Sequence, residues 1–504
     1  MAASRRDRID NRRHFLIPIA GNDSRACLRK PQSRGATNAR SGAGHHRDLS
    51  RHHSIQSFHH VLPCYIPKPK LFLIDALSAW PCGRCRAYRS QRTEPAVIKP
   101  ASPRRTSDKF EKRRQVILDA AAILINRNGV RGLTFVEVAE AIGMNTTSIT
   151  YYFRKKELLA AAAIEETISI FDEMTREAEQ EPDSVSRVSR LLRMRLDHSA
   201  AIRRGERPTV AVLGDLRALE EPARERLIRW YSDITRRVAG YFGPLDDRQL
   251  FLRRMAAAQV LLDVIHWMRA WLPTYSLHDF DHIHASLMDL MTNGFSPAGT
   301  AWKPTVDLPM QGEEDSHSAY LRAATLLLNA RGYRGASVDE IAAQLNLSKG
   351  SFYHHLDSKD DLVLKCFTRS YERVSAAQDH AATLPGTWRD RLNQAVSDLL
   401  AIQFDARFPL LRTTAMQALP PEMRADAITD ATRMANSFAV MLWQGVADGS
   451  LRPVNPDIAS HCLLALVNSA YDFHQWAHAM PSTERAMEIY ASTLAFGLFD
   501  DRQG

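Results

Sequence analysis

From Lys112 to Leu159 the chain reads KRRQVILDAAAILINRNGVRGLTFVEVAEAIGMNTTSITYYFRKKELL, and it says nearly the same thing again from Ser318 to Leu362. Aligned without a gap at an offset of 203, which carries Gly129 onto Gly332, residues 117–159 coincide with residues 320–362 at 13 of 43 positions. Such self-similarity marks a unit present twice, so the 504-residue chain is expected to hold two copies of one module.

The unit can be read from its punctuation. Val116, Ala120, Ile123 and Leu124, and in the second copy Leu321, Ala324, Leu327 and Leu328, recur at helical spacing and predict a first helix with one apolar face. Asn128-Gly129 and Arg331-Gly332 end it, because glycine supplies the left-handed residue that closes many helices. Thr134 with Glu137, and Ser337 with Glu340, have the spacing of a capping box and open a short second helix. That helix stops at Gly143 in one copy and Asn346 in the other, residue types that readily reach positive φ. A third helix starts at once, through Asn145-Thr146-Thr147 or Ser348-Lys349-Gly350, and runs to about Tyr152 and His355. Three short helices with a sharp turn before the last predict a helix-turn-helix unit whose third helix enters a DNA major groove.

The stretches GLTFVEVAEAIGMNTTSITYYFRKKELL and GASVDEIAAQLNLSKGSFYHHLDSKDDL resemble the N-terminal DNA-binding region of the TetR family of bacterial transcriptional regulators. The second copy is the closer match, with Lys349-Gly350-Ser351-Phe352-Tyr353-His354-His355 and Ser358-Lys359 where the family's motif has them. The first departs by carrying Thr147 where the family usually has glycine, and Lys155 where it usually has the serine that caps the fourth helix. The resemblance implies an all-α fold: two tandem modules, each a three-helix DNA-binding unit followed by a helical-bundle ligand and dimerisation domain.

Residues 1–108 carry 21 Lys+Arg against 7 Asp+Glu, a charge near +14; the whole chain is +9, so the remainder is near −5. The basic pI therefore belongs to this leader, which has no sustained periodicity and is expected to be disordered, or to reflect a start assigned too far upstream. Cys82-Gly-Arg-Cys85 has the spacing of half a zinc site, but no second pair follows, and no metal or cofactor is expected. Only Cys366 and Cys462 fall in the modules, which suits a reducing compartment. No apolar run is long enough for a membrane span, so the expected location is the bacterial cytoplasm, at the nucleoid. Proline and charge mark the seams. The expected domains are 1–108 leader, 109–165 and 316–372 helix-turn-helix, 166–297 and 373–504 helical regulatory, and 298–315 linker.

Double-stranded operator DNA is the expected partner. Around the first unit, Arg113, Arg114 and Lys156 sit where phosphates would lie, contacts that add affinity without reading sequence. Thr134, Thr146, Thr147, Ser148, Thr150 and Tyr151 are the candidates for phosphates or base edges. In the second unit Ser337, Lys349, Gly350, Ser351, Tyr353 and His354 take those places, and the resemblance adds Lys359 as a phosphate contact. Glu313-Glu314-Asp315 precede the second unit and oppose a duplex, so the better motif has the worse electrostatics.

Behind each unit, helical spacing predicts Ser184–Asp197, Glu221–Tyr241, Asp247–Leu272 and Asp279–Phe295, then Trp388–Phe404, Pro421–Asp448, Pro456–Ala479 and Ser482–Phe499. The last two of each set are the most apolar. In the TetR family the equivalent pair forms a four-helix dimer interface, so this chain is expected either to close that interface on itself as a pseudo-dimer or to form a homodimer. Trp230, His266, Trp267, Trp271, Phe404, Trp443, Tyr471 and His474 are candidates to line a pocket for a small apolar or aromatic effector, although aromatics at this spacing are more often core. By resemblance, an effector would release the operator, making the chain a repressor. Alternatively, one module binds DNA while the other serves as a dimerisation or partner platform. With no nucleophile motif, phosphate-cradling loop or metal cluster, it is not expected to be an enzyme.

Overall fold

The computed structural model describes residues 108–307, 316–344, 358–405, 407–412, 419 and 421–500. The expectations for the leader with its Cys82-Cys85 pair, for Glu313 to Asp315 and for Lys349, Gly350, Ser351, Tyr353 and His354 lie outside these residues. Every described element is an α- or 3-10 helix.

In the first module α1 is Asp108–Gly132, α2 Phe135–Ala141, α3 Thr146–Tyr152, α4 Lys156–Glu179, α5 Ser184–Arg203, α6 Ala223–Gly240, α7 Arg248–Trp271 and α8 Phe280–Asn293. In the second module, among the described residues, α9 (Ser316–Gly335) and α10 (Val338–Gln344) correspond to α1 and α2, α11 (Lys359–Thr383), α12 (Trp388–Asp405) and α13 (Pro421–Ala447) to α4, α5 and α6, α14 (Pro456–Ala470) with α15 (His474–His478) to α7, and α16 (Thr483–Ala495) to α8.

The predicted stops are present. Gly129 has φ 69° and Gly332 φ 73°, breaking α1 and α9 one turn before their ends, and Gly143 has φ 64° between α2 and α3. The apolar face of α1 differs from the expectation: Val116 is 48% and Ile123 54% exposed, whereas Ile117, Leu118, Ala121 and Ile125 are buried. The run from Val116 to Ile125 is apolar at every position but Asp119, so it does not choose its own face. Packing against α4 chooses it. In α9 Leu321, Ala324, Leu327 and Leu328 are buried as read.

In each module the long helix after the DNA-binding unit carries the bundle, α4 packing on α5 and α6, and α11 on α12 and α13. The two bundles meet along α7 and α8, which pack against α14 and α16. Trp476 Nε1 donates to Leu252 O at 3.0 Å, and Arg253 donates to Ser492 Oγ at 2.9 Å. Arg452 grips Asp289 through two nitrogens at 2.9 and 2.6 Å.

The ends of α8 and α16 show the repeat most directly. Phe295 N donates to Leu494 O at 3.3 Å, and Leu498 N donates to Met291 O at 2.7 Å. Adding 203 to Phe295 and Met291 gives Leu498 and Leu494, so these two bonds are one contact seen from its two sides. That reciprocity is the property of an isologous interface, here made within one chain.

The helix expected over Pro456–Ala479 is interrupted: α14 ends at Ala470, and a 3-10 turn over Tyr471–Phe473 precedes α15. The turn presents Asp472 to two arginines, a tertiary partnership that no local pattern announces. After α8 the chain docks on α12, with Trp302 1% exposed and Lys303 O accepting from Asn393 Nδ2 at 2.6 Å.

Candidate functional site

The first DNA-binding unit is held open by its caps. Thr134 Oγ1 accepts from Glu137 N at 3.2 Å, and Asn145 Oδ1 accepts from Ser148 N at 2.7 Å, satisfying the free amides at the starts of α2 and α3. Ile149 faces the core with no exposure while Tyr151 is 74% exposed, so Thr147, Thr150 and Tyr151 share the outward face of α3. Thr146 is also exposed. Two of the hydroxyls named from sequence are engaged within the helix: Ser148 Oγ donates to Asn145 Oδ1 at 2.7 Å, and Thr150 Oγ1 to Thr147 O at 2.8 Å. Both retain acceptor capacity for a donor on DNA.

Sequence reading missed Phe110. Its ring lies 4.7 Å from that of Tyr152 and 6.1 Å from that of Tyr151, and the two tyrosine rings meet edge to face at 5.3 Å. This cluster pins the start of α1 beside α3, which brings exposed Lys109, Lys112 and Arg113 to the edge of the outward face. Arg114 is turned inward by comparison, its guanidinium 5.5 Å from the Phe153 ring centroid. Lys156 is exposed at the start of α4, where Lys155 occupies the cap position and makes no side-chain cap bond. In the second unit Ser337 and Glu340 exchange both capping-box bonds, at 3.1 and 3.2 Å, and Ser358 caps α11 by accepting from Asp361 N at 3.1 Å. Lys359 is the first residue of α11.

A cavity of about 200 Å³ lies inside the first bundle at the seam. Its walls come from α4 (Thr167, Ile170, Phe171, Met174), α5 (Arg195, His198), the segment Val210 to Arg217, α6 (Tyr231) and α7 (Gln259, Asp263, His266, Trp267, Arg269). The second module closes it with Arg412, Ala465, Asn468, Ser469 and Asp472.

Of the eight aromatic residues and histidines proposed for a pocket, His266 and Trp267 line it. Trp230 is partly buried in packing elsewhere; Trp271 stacks on His461 at 5.1 Å across the seam; Phe404 is 1% exposed beside Trp476 and Tyr490. Tyr471 and His474 stack on one another at 5.6 Å, and Trp443 is 62% exposed on the surface. Aromatic side chains fill space, so they serve the core first. The polar wall had no sequence signal, because Arg195, Gln259, Asp263 and Arg269 lie on helices whose rotation only the packed bundle defines.

Electrostatics set this wall apart. Burial and the nearby charge of Arg269 bring Arg195 down to about 10, and burial lowers Arg269 too. Burial, with Arg195, brings His198 and His266 down to about 4, so both imidazoles are neutral. Tyr231 Oη lies 3.3 Å from His266 Nδ1. Burial and repulsion from Asp472 push Asp263 up to about 7, with Gln259 donating to it at 2.6 Å. Asp472 goes the other way: burial raises it, but Arg217 at 2.8 Å and Arg412 at 2.7 Å hold it below the usual range. Among the described residues no cluster suited to a metal ion occurs, and no helix is long and apolar enough to cross a membrane.

Comparison with known proteins agrees with this architecture. The model of bacterial regulatory proteins of the tetR family matches residues 117–163 and again 321–366, and a tetracyclin repressor-like C-terminal domain matches 385–477. The HTH-type transcriptional regulator HbdR of Aromatoleum sp. is 30% identical over 181 residues, 35% of this chain and 74% of that protein. The HTH-type transcriptional repressor KstR of Mycolicibacterium smegmatis is 27% identical over 144 residues, 28% of this chain and 69% of its own. The transposon Tn10 TetC protein of Escherichia coli is 27% identical over 75 residues, 15% of this chain and 38% of its own. Among solved structures, the TetR family regulator PfmR of Thermus thermophilus aligns at 23% identity and TM-score 0.30, covering 36% of this chain and 98% of its own. With the DNA-binding model matching at both copies, this chain belongs to the tetR family of bacterial regulatory proteins and carries that family's DNA-binding domain twice.

Proposed function

We propose that the chain is a repressor that works as a self-paired tandem: one polypeptide presents two unlike recognition helices to one operator, and a small molecule in the cavity releases it. Family members that pair two identical chains read two half-sites one helical turn apart. The reciprocal bonds of Phe295 and Leu498 across the seam between the two bundles are the observation that carries the reading. Because Thr146 to Tyr151 differ from Lys349 to His354 at all positions but Ser148 and Ser351, the preferred site is asymmetric rather than palindromic. The two modules are residues 109–297 and 316–504, joined by the linker.

The cavity is connected to both DNA-binding units. Its residues Val210 and Val212 are bonded to Asn126 of α1, and the segment Leu213–Ala218 packs on α9. A ligand that shifts this wall therefore biases both units at once.

Light scattering on the full chain with a promoter-derived duplex tests the pairing. One chain per duplex, with affinity lost when either Tyr151 or Tyr353 is replaced by Ala, supports the tandem. Two chains per duplex, with Tyr353→Ala silent, would establish the second reading, in which the second module is a platform. The acidic Glu313-Glu314-Asp315 ahead of that module is what favours this alternative.

A further inference from the structure

We propose that the cavity ligand is a small organic acid, its carboxylate held between Arg195, Arg269 and His198 and its apolar body lying against Phe171, Met174 and Trp267. The inference rests on the cavity being the effector site, and it adds the chemical class.

The charges of the wall do not cancel. Four arginines line the cavity against two aspartates, and Arg217 and Arg412 share Asp472 between them. Asp263 is held by Gln259, and burial favours its neutral form. Arg195 and Arg269 make no ion pair with a carboxylate among the described residues; Arg195 donates only to Ser199 Oγ, at 3.0 Å. His198 is 7% exposed, and neither of its ring nitrogens has a hydrogen-bond partner. A cation withdrawn from water without a counter-charge is costly, and so is a buried imidazole without partners. A carboxylate satisfies all three groups: it pairs with the guanidiniums and accepts from the neutral His198 N–H. A ligand amine would meet only Asp263 and would face the arginines.

The set is not repeated in the other module. At the 203-residue offset Arg195 becomes Asp398, His198 becomes Ala401 and Asp263 becomes Leu466. The two bundles have thus diverged, and one acid per chain is the expected stoichiometry.

The test uses the full chain with hexanoate, benzoate and 4-phenylbutyrate, each beside its primary amide and the matching amine. Calorimetric titration should find at least one acid bound one to one, with its amide and amine at least tenfold weaker. Arg195→Gln and Arg269→Gln should each weaken that acid at least tenfold without lowering the ligand-free Tm, and Arg269→Lys should restore part of the loss. Amides or amines binding as well as acids, acid binding indifferent to both substitutions, or no binding of any acid at millimolar concentration would overturn the proposal. DNA release is read separately by fluorescence anisotropy. An acid that binds through these arginines yet leaves DNA affinity unchanged upholds the anion site and removes its role as effector site.

Discussion

Asn126 and Asn329 stand 203 residues apart and make the same clasp. Asn126 Nδ2 donates to Val210 O at 2.8 Å while its Oδ1 accepts from Val212 N at 2.8 Å. Asn329 Nδ2 donates to Leu410 O at 2.9 Å while its Oδ1 accepts from Arg412 N at 2.9 Å. In each module the first helix of the DNA-binding unit is tied to the backbone of a bundle segment at two points two residues apart. In the first module that segment is cavity wall.

Replacing Asn329, which is 2% exposed, by Ala strands a part-buried N–H and a buried carbonyl and should cost about 1–3 kcal/mol in urea denaturation. Asn126→Ala, at a partly buried site, should cost less stability. It should instead reduce the change in DNA affinity on ligand binding, because the wall no longer grips α1; anisotropy with and without ligand measures this.

The glycines at the seam provide a second test. Gly294 (φ 65°) and Gly497 (φ 92°) are also 203 residues apart, and a Cβ on either would collide with the backbone ending the other module's last helix, at Ala495 and Thr292. A Cβ at Gly299 (φ 79°) would meet nothing within 4 Å. Gly299→Ala should therefore cost only the left-handed strain, about 1 kcal/mol. Gly294→Ala and Gly497→Ala should cost distinctly more, seen as a larger fall in Tm. Equal effects at all three positions would mean the seam is looser than described.

The proposed DNA contacts separate into two kinds. Arg113→Ala should weaken all duplexes alike and lower the slope of log K against log salt by about 1, as expected for one lost phosphate contact. Thr147→Ala and Tyr151→Ala, on the outward face of α3, should change which sites are preferred, by about 1–3 kcal/mol per contacted base pair. A binding-site selection run on wild type and variants distinguishes the two outcomes.

The buried titrating groups make opposed contributions to stability. Asp263 titrates near 7 in the folded chain, well above an unfolded carboxylate, so between the two values the folded state holds the extra proton and stability falls as pH rises. His198, His266 and His461 are brought down to about 4, chiefly by burial; over the range up to an ordinary histidine value the unfolded state holds the extra protons, and stability rises with pH. Asp263→Asn removes only the first contribution. Relative to wild type the variant should gain stability steadily from about pH 4 to about pH 7 and level off above, as measured by thermal unfolding across that range.

The sequence by itself determined the unit and its repetition. Caps such as Thr134 with Glu137, and stops such as Gly129 and Gly143, act through their own backbone and the next few residues, so spacing alone reveals them. Identities at the 203-residue offset, Asn126 among them, carried the tandem reading further than any single motif. The tertiary structure decided what depends on how helices rotate against one another. It chose the buried face of α1 over Val116 and Ile123, and it left Trp443 on the surface. It also drew Arg195, Asp263 and Arg269 from two helices, and Arg412 and Asp472 from the other module, into one cavity. Charges that meet across more than 200 residues leave no local periodicity, because their proximity is created by packing.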